Sequence, residues 1–412
     1  MKVAVVAEFY PSRRDPVLGV WSHRQALAAR AAGAEVHVLV LHRLVPPRAS
    51  LAQGPRTVGR ELRERLAEPR RQVLDGLPVT YVPYVSPPRS GSYARWGAWA
   101  GPALARALRG LAREFPFEVV HAHNAVPAGD AVRRALAGPR ARLGRRGGRG
   151  TPLVISVHGG DVLYTAAPAP RGSAAGASAV ARGLGAATLT LANSQGIAEL
   201  CRRHGAEEVR VVHLGADPPA ATGRRREGPP TLVTVGHLVA RKRHGDVLRA
   251  LAVLERAHPT LRYAIVGDGP ERMALEGLAE RLGVRERVRM EGQLPHDQAL
   301  ARAGRCTLFV MPSTEEAFGV AYIEAMAAGV PAIGCRGEPG PEEIAAAGDG
   351  FMLVPPGDIE RLTQRIDELL SDPHRLREAG QRARETVAAN FTWERCGEQT
   401  LAAYEHALSR GR

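Results

Sequence analysis

Two glutamates eight residues apart, Glu316 and Glu324, flank a glycine in the segment PSTEEAFGVAYIEAMAAGVP (312–331). The segment predicts a helix that begins near Gly319, so that Glu324 lies ~7.5 Å along the axis at about 1.5 Å per residue. This is close to the distance from a bound diphosphate to the ribose of its nucleotide, and a carboxylate is a good acceptor for ribose hydroxyls. The alternative is one glutamate favoured by the helix dipole and a second, solvated helix glutamate.

The predicted helix start would also bind an anion. The first N–H groups of a helix lack intrahelical partners and lie at its positive end. In this segment they belong to Phe318, Gly319 and Val320. Gly319 would let a ligand approach the backbone closely because it carries no side chain.

Lysine is rare in this chain, since only Lys2 and Lys242 stand among the 56 basic residues. Lys242 lies in the loop VGHLVARKRHG (235–245), and an ammonium in a chain that otherwise uses arginine suggests a site that needs a compact charge. The alternative is a surface lysine. His158 ends the run PLVISVH and precedes two glycines; it is either a ligand-facing histidine or a hydrogen-bonded core histidine.

Metal chemistry is disfavoured. His121 and His123 alternate on one face of a predicted strand, but no third ligand follows at a sensible spacing. No D-x-D stands in the chain, and the four cysteines are far apart, as expected for buried reduced thiols. We therefore predict metal-independent chemistry without a cofactor, in which Lys242 and a helix N-terminus neutralise negative charge.

The elements that must position these residues alternate between β-rich and helical runs. The β-rich runs of the first part are 2–7, 35–41, 77–85, 117–123, 152–159, 187–193 and 208–215, and those of the second part are 231–236, 262–269, 287–292, 306–313, 330–335 and 351–355. This alternation predicts two doubly wound α/β domains with parallel sheets. No G-x-G-x-x-G follows the first strand, which disfavours a Rossmann oxidoreductase.

The predicted boundaries follow from this pattern. The N-terminal domain is 1–215, the Pro-, Gly- and Arg-rich linker is 216–230, the second domain is 231–391, and a helical tail covers 392–412. The helical pattern of 93–113 has an apolar stripe and several arginines, and Pro102 argues against one continuous helix. Such a basic stretch with tryptophans either packs in the core or lies on an anionic membrane.

The composition is that of a globular protein, with 44% hydrophobic and 24% charged residues. A net charge of +14 suggests an anionic partner, although Arg-rich codon bias contributes. An alternative is nucleic-acid binding through the arginine-rich stretch 131–150, but aromatics are only 5% and no binding motif is recognisable. The short N-terminal apolar run, interrupted by Glu8, predicts a cytoplasmic protein.

The pair of glutamates in EAFGVAYIEAMAAGVP resembles the E-x7-E motif of retaining glycosyltransferases of the GT-B fold, the family that includes glycogen synthase-like and phosphatidylinositol mannosyltransferase-like enzymes. Further segments resemble the family in the expected order: HGGD (158–161), VGHLVARKRHG (235–245), IVGDGPER (265–272), GQLPHDQ (292–298) and GDGFMLVPPGD (348–358). The resemblance implies two Rossmann-like domains facing a cleft, with a nucleotide-sugar held mainly by the second domain and a C-terminal helix that returns to the first.

The resemblance also implies residue roles. Glu324 would hold the ribose, Glu316 the donor sugar near the reacting centre, and Lys242 the leaving diphosphate, while His158 would face the donor sugar. Further donor-binding positions would be Gly19, His237, Arg241, Leu294, Phe318, Gly319 and Val320.

Two positions depart from the family pattern. Leu18 stands where the family has a second glycine before Gly19. His237 replaces a common arginine, so that either Arg241 or Arg243 supplies the second positive charge, or a neutral His237 donates one hydrogen bond and makes diphosphate binding pH-sensitive.

The function implied is transfer of a sugar from a nucleoside diphosphate donor, with UDP as the commoner nucleotide, to an acceptor hydroxyl with retention. The acceptor would bind the N-terminal domain through loops 10–20, 42–76 and 84–96. A lipid-linked or phosphorylated acceptor in envelope polysaccharide or glycolipid assembly, and a soluble natural product, stay open, as does peripheral contact with the inner membrane face. A rival with the same fold is a UDP-sugar epimerase, which needs no acceptor.

Overall fold

The computed structural model describes residues 1–12, 15–46, 50, 52–89, 91–137, 150–169, 172–217 and 228–410. Two compact units divide the chain: unit 1 comprises Met1–His213 and Glu394–Arg412, and unit 2 comprises Leu214–Trp393. Most of the predicted linker, residues 218–227, and most of the arginine-rich stretch, residues 138–149, lie outside the described residues.

Unit 1 is built on an eight-stranded sheet of order β3-β4-β2-β1-β5-β6-β7-β8. Its strands are β1 (Lys2–Ala7), β2 (Glu35–Arg43), β3 (Arg71–Leu74), β4 (Leu77–Tyr84), β5 (Val119–His123), β6 (Leu153–Val157), β7 (Leu189–Ala192) and β8 (Val209–Val211). Its helices are α1 (Val20–Ala31), α2 (Pro55–Ala67), α3 (Trp96–Glu114), α4 (Asp130–Leu136), α5 (Ala174–Leu184) and α6 (Gln195–Arg203). The central strands are buried along their whole length because both faces of the sheet are covered.

Unit 2 is built on a six-stranded parallel sheet of order β11-β10-β9-β12-β13-β14. Its strands are β9 (Thr231–Val235), β10 (Arg262–Val266), β11 (Val288–Gly292), β12 (Leu308–Val310), β13 (Ala332–Cys335) and β14 (Phe351–Val354). Its helices are α7 (His244–Val253), α8 (Arg272–Arg281), α9 (His296–Gly304), α10 (Val320–Ala327), α11 (Pro339–Ala347), α12 (Ile359–Leu370) and α13 (Pro373–Asn390). The final helix, α14 (Trp393–Arg410), belongs almost entirely to unit 1.

Helix α14 is held in unit 1 by polar contacts as well as by its apolar face. The Tyr404 hydroxyl lies 2.7 Å from His121 Nδ1, and the Gln25 amide donates to Thr400 Oγ1 at 3.2 Å. All four side chains are buried, so these bonds satisfy groups that would otherwise cost stability.

The structure differs from the sequence expectation at two places. Strand β3 was missing from the predicted runs, and it pairs antiparallel with β4 at the sheet edge. Helix α3 continues through Pro102. Pro102 removes the hydrogen bond to the carbonyl of Ala98, but both residues are exposed, and water can reach that carbonyl. Burial of the stripe from Trp96 to Leu111 holds the helix together.

Charge is divided unevenly between the units. Unit 1 carries 33 Lys and Arg against 17 Asp and Glu, a net charge of +16, whereas unit 2 carries 23 against 25, a net charge of −2. Among the described residues, no helix is long and apolar enough to cross a membrane.

Candidate functional site

The candidate site of unit 2 lies at the carboxyl ends of two neighbouring strands. The chain runs from β9 toward β11 on one side of the sheet and from β12 toward β14 on the other, so the strand order reverses between β9 and β12. In open α/β sheets, ligands bind at this reversal point. The loop after β9 carries Lys242 at the end of a short 3-10 turn, and the loop after β12 carries Glu316.

Lys242 and Glu316 form a buried ion pair. Lys242 Nζ donates to Glu316 Oε2 at 2.5 Å, and each side chain is 11% exposed. Ser313 Oγ donates to the same oxygen at 2.9 Å, and Arg241 Nη1 lies 3.9 Å from it. Burial alone would raise the pKa of Glu316, but the Lys242 ammonium and the Ser313 and Arg241 contacts hold that pKa below its ordinary value. Glu316 is therefore an anion within a cationic loop.

The backbone around Glu316 is fixed from a second side. Its N–H donates to Glu338 Oε2 at 2.8 Å. The Tyr322 hydroxyl donates to the Met311 carbonyl at 2.5 Å and lies 3.0 Å from Ser313 Oγ. These buried contacts tie the loop after β12 to its own strand end, which makes the carboxylate position rigid.

Helix α10 begins as predicted, with Gly319 as its N-cap at φ 92°. A Cβ on Gly319 would lie 2.3 Å from the Tyr322 ring, so no other residue fits without moving that ring. Val320 is the first helical residue, and the buried Phe318 ring packs edge-on against Phe391 at 5.7 Å. The turn thus presents a helix N-terminus directly beside Glu316.

Glu324, the predicted ribose ligand, lies on the first turns of α10 and is paired with a histidine that sequence reasoning missed. His296 Nε2 donates to Glu324 Oε1 at 2.7 Å, and the Glu324 side chain is 15% exposed. Leu294, half-buried, lies two residues before His296 between β11 and α9. The sequence did contain a signal for His296, because the segment GQLPHDQ that contains it already resembled the family.

The loop after β9 contains the three residues considered as a second positive charge or hydrogen-bond donor for a diphosphate: Arg241, Arg243 and His237. Arg243 donates to Asp246 Oδ2 at 2.6 Å, so its charge is already neutralised. Arg241 lies near Glu316, and His237 is exposed just after the strand end. Arg243 thus pairs within its own loop, whereas Arg241 pairs with Glu316.

In unit 1, Gly19 caps the start of α1 at φ 71°. A Cβ there would lie 2.2 Å from the Phe9 carbonyl carbon and oxygen, so the close backbone approach requires glycine. Gly19 therefore packs directly against the backbone of Phe9, which follows the carboxyl end of β1.

His158 follows β6 and forms a hydrogen bond with His123. The two ring planes are parallel within 5°, the ring centroids are 5.2 Å apart, and His123 Nδ1 lies 2.9 Å from His158 Nε2. Burial lowers the pKa of His158 to about 4, so the ring is neutral at physiological pH. The outer nitrogens, His158 Nδ1 and His123 Nε2, are buried without hydrogen-bond partners.

This geometry couples the two tautomers. With both rings neutral, a proton on His123 Nδ1 leaves His158 protonated at Nδ1, whereas a proton on His158 Nε2 leaves His158 Nδ1 bare. His123 therefore decides whether His158 presents a donor or an acceptor.

His121 is not available as a metal ligand. Its Nδ1 faces the Tyr404 hydroxyl at 2.7 Å and its Nε2 faces Ser156 Oγ at 2.8 Å. Within the described ranges, no group of three or more His, Cys, Asp or Glu side chains could hold a metal ion. The four cysteines are buried and form no disulfide with one another, as predicted.

Comparisons with known proteins place this site in a family. Residues 18–219 match the model "Glycosyltransferase Family 4", and residues 220–386 match "Glycosyl transferases group 1". D-inositol 3-phosphate glycosyltransferase 1 of Catenulispora acidiphila is 32% identical, over 84% of this chain and 86% of that protein. GDP-mannose-dependent alpha-(1-6)-phosphatidylinositol monomannoside mannosyltransferase of Mycolicibacterium smegmatis is 30% identical, over 72% of this chain and 78% of that protein.

Solved structures agree on the fold. Sucrose-phosphate synthase from Thermosynechococcus elongatus superposes with a TM-score of 0.76 at 20% identity, covering 100% of both chains. HepE from Anabaena, in complex with UDP and glucose, superposes with a TM-score of 0.71 at 18% identity, covering 98% of this chain and 100% of that one.

The fold and the matched family define a glycosyltransferase that uses a nucleotide sugar. The chain belongs to the family 4 type of glycosyltransferases with the GT-B fold, which confirms the family and the fold predicted from its sequence.

Proposed function

We propose that the chain transfers a sugar from a nucleoside diphosphate donor to an acceptor hydroxyl with retention at the anomeric carbon. The bond between that carbon and the diphosphate breaks, and the diphosphate keeps the electron pair. A bond to the acceptor oxygen forms as the proton of the acceptor hydroxyl passes to the departing diphosphate. The supporting observation is the buried Lys242–Glu316 pair beside the Gly319 turn at the strand-order reversal of unit 2.

Lys242 is proposed to stabilise the departing diphosphate without a metal ion. A preorganised cation aimed at developing negative charge contributes about 3 kcal/mol, or roughly a hundredfold in rate. Arg241 and the N-terminus of α10 add positive potential at the same place. Glu316, held as an anion by Lys242, is proposed to contact the donor sugar near its reacting carbon.

The remaining predicted residues keep their proposed roles in donor binding. Glu324, oriented by His296, is proposed to accept hydrogen bonds from the ribose hydroxyls. The resemblance assigns His158 to the donor sugar and Gly19 to the diphosphate, and the rigid settings of both residues in unit 1 support these roles.

UDP is the proposed nucleotide, and GDP is the alternative suggested by the name of the Mycolicibacterium relative. The proposed acceptor is phosphorylated or lipid-linked, because unit 1 carries a net charge of +16 and both named relatives act on phosphate-bearing inositol compounds. Peripheral contact with an anionic membrane is proposed for α3, where the half-exposed Trp99 lies among exposed arginines.

Isothermal titration with UDP, GDP and ADP in EDTA tests the donor site. We expect one nucleotide to bind in the micromolar range and Glu324→Ala to lose that binding, while Glu360→Ala at the exposed start of α12 serves as a control for loss of a carboxylate. Binding that requires added divalent metal contradicts the metal-independent mechanism. Conversion of the matching nucleotide sugar without any acceptor supports the epimerase alternative instead.

A further inference from the structure

A second charged cavity lies at the opposite edge of the unit 2 sheet from the candidate donor site. It has a volume of 520 Å³ and opens at the amino ends of the strands, where Thr231, Arg262 and Thr307 line it. Lys242 and Glu316 follow the carboxyl ends of β9 and β12. A five-residue strand spans about 16 Å at ~3.3 Å per residue, so the two places are separate.

Arginine dominates the lining of this cavity. One acidic residue, Glu286, lines it beside six arginines: Arg262, Arg285, Arg287, Arg289, Arg302 and Arg305. Codon bias does not explain the cluster, because unit 2 as a whole carries a net charge of −2. Arginines gathered in a cavity repel one another unless an anion neutralises them. The concave shape also focuses their positive potential.

Some of these arginines are neutralised by the protein. Arg289 and Arg302 both pair with Glu291, at 3.2 and 2.8 Å, and Arg287 Nη2 pairs with Glu255. Arg262 and Arg305, by contrast, make no ion pair with any carboxylate of the described residues. These two exposed guanidinium groups keep their full hydrogen-bonding capacity for a ligand.

Arg287 adds positive charge from behind the cavity surface. Its Nη1 is buried, and the same guanidinium pairs through Nη2 with Glu255. A ligand in the cavity would therefore meet the exposed guanidinium groups of Arg262 and Arg305. Guanidinium groups match phosphate oxygens in bidentate geometry, and this volume suits a small molecule.

We propose that this cavity binds a small polyphosphate anion, a ligand with at least two linked or neighbouring phosphate groups. Arg262 and Arg305, the two exposed arginines without an ion pair among the described residues, would bind its oxygens. The concave shape and the 520 Å³ volume favour a compact ligand over the extended backbone of a nucleic acid.

The test is calorimetric titration of the whole chain with inorganic tripolyphosphate in EDTA. Because the diphosphate loop would bind the same probe, the titration is repeated in the neutral pair variant Lys242→Met/Glu316→Gln, which removes the charges of that loop. We expect binding to persist in this background and to weaken about tenfold or more in Arg262→Gln/Arg305→Gln, through loss of two charge-assisted contacts. Arg361→Gln/Arg377→Gln removes two exposed arginines elsewhere in unit 2 and controls for net charge.

Three outcomes would overturn the proposal. They are absence of binding once Lys242 is neutralised, equal affinity in the cavity variant and the control variant, and tighter binding of a single-stranded oligonucleotide than of tripolyphosphate. Circular dichroism of each variant establishes that the exposed substitutions leave the fold intact.

Discussion

At the scale of single residues, the Lys242–Glu316 pair should be indispensable as a pair. Lys242→Met or Glu316→Gln alone leaves one buried charge without its partner. Removal of one partner of a buried ion pair lowers the free energy of unfolding by about 3–5 kcal/mol. The double variant should recover much of this stability, since no buried charge stands alone, but none of the activity. Urea unfolding and single-turnover assays separate these two effects. Turnover like that of the wild type in either single variant contradicts the proposed site.

The buried histidines of unit 1 predict a loss of stability in acid. Burial lowers the pKa of His121 to about 3 and of His158 to about 4, below the value of 6.5 expected in the unfolded chain. At these histidines the unfolded state binds more protons in this window, so their contribution to stability falls as the pH drops from 6.5 toward about 4. Glu8 and Asp161 act in the opposite direction, because burial raises their pKa values to about 7 and about 6. The limiting slope is about 1.4 kcal/mol per pH unit for each histidine.

Unfolding measurements across that window check the prediction. His158→Gln should reduce the slope by up to one proton, whereas substitution of the exposed His374 should leave it unchanged. An identical pH profile in the wild type and in His158→Gln would show that His158 already binds its proton in the folded protein.

At the scale of elements, the start of helix α10 depends on one glycine. Gly319 and Gly337 both have positive φ, 92° and 79°, but a Cβ meets the Tyr322 ring only at Gly319, while nothing lies within 4 Å at Gly337. Both alanine substitutions pay a similar backbone strain of about 1 kcal/mol. Only Gly319→Ala should also displace Tyr322 and weaken nucleotide binding, by about tenfold or more if the turn binds the diphosphate. Equal nucleotide affinity in the two variants, measured by calorimetry, would remove the turn from the site.

At the scale of the whole molecule, the distribution of charge predicts which binding step responds to salt. Unit 1 carries +16 and unit 2 carries −2, so contact with anionic vesicles should require unit 1 and should weaken as salt screens its charges. Cosedimentation with vesicles containing phosphatidylglycerol should fall severalfold in Trp99→Ala/Arg106→Ala/Arg109→Ala, through lost apolar and electrostatic contacts. Vesicles of phosphatidylcholine alone are the control, and equal binding to both contradicts the membrane proposal.

The sequence alone predicted most elements of this protein and, through the family resemblance, the kind of site proposed for unit 2. Periodicity of two and of about 3.6 residues is a local property, and it predicted every strand of unit 2 and the start of α10 at Gly319. The edge strand β3 was not predicted, because a short, half-exposed antiparallel strand has no continuous apolar run. The prediction that Pro102 interrupts the helix was wrong, because the packing of the buried stripe of α3 outweighs the loss of one hydrogen bond.

Only the tertiary structure decided which side chains act together. Lys242 and Glu316 are 74 residues apart in the chain, and His296 and Glu324 are 28 apart, so no local pattern reports their contacts. The hydrogen-bonded His123–His158 pair and the arginine cavity likewise arise from strands brought side by side by the sheet order. Side-chain periodicity fixes which face a residue occupies, whereas contact across elements depends on strand order and register, which are set by the packing of the whole unit.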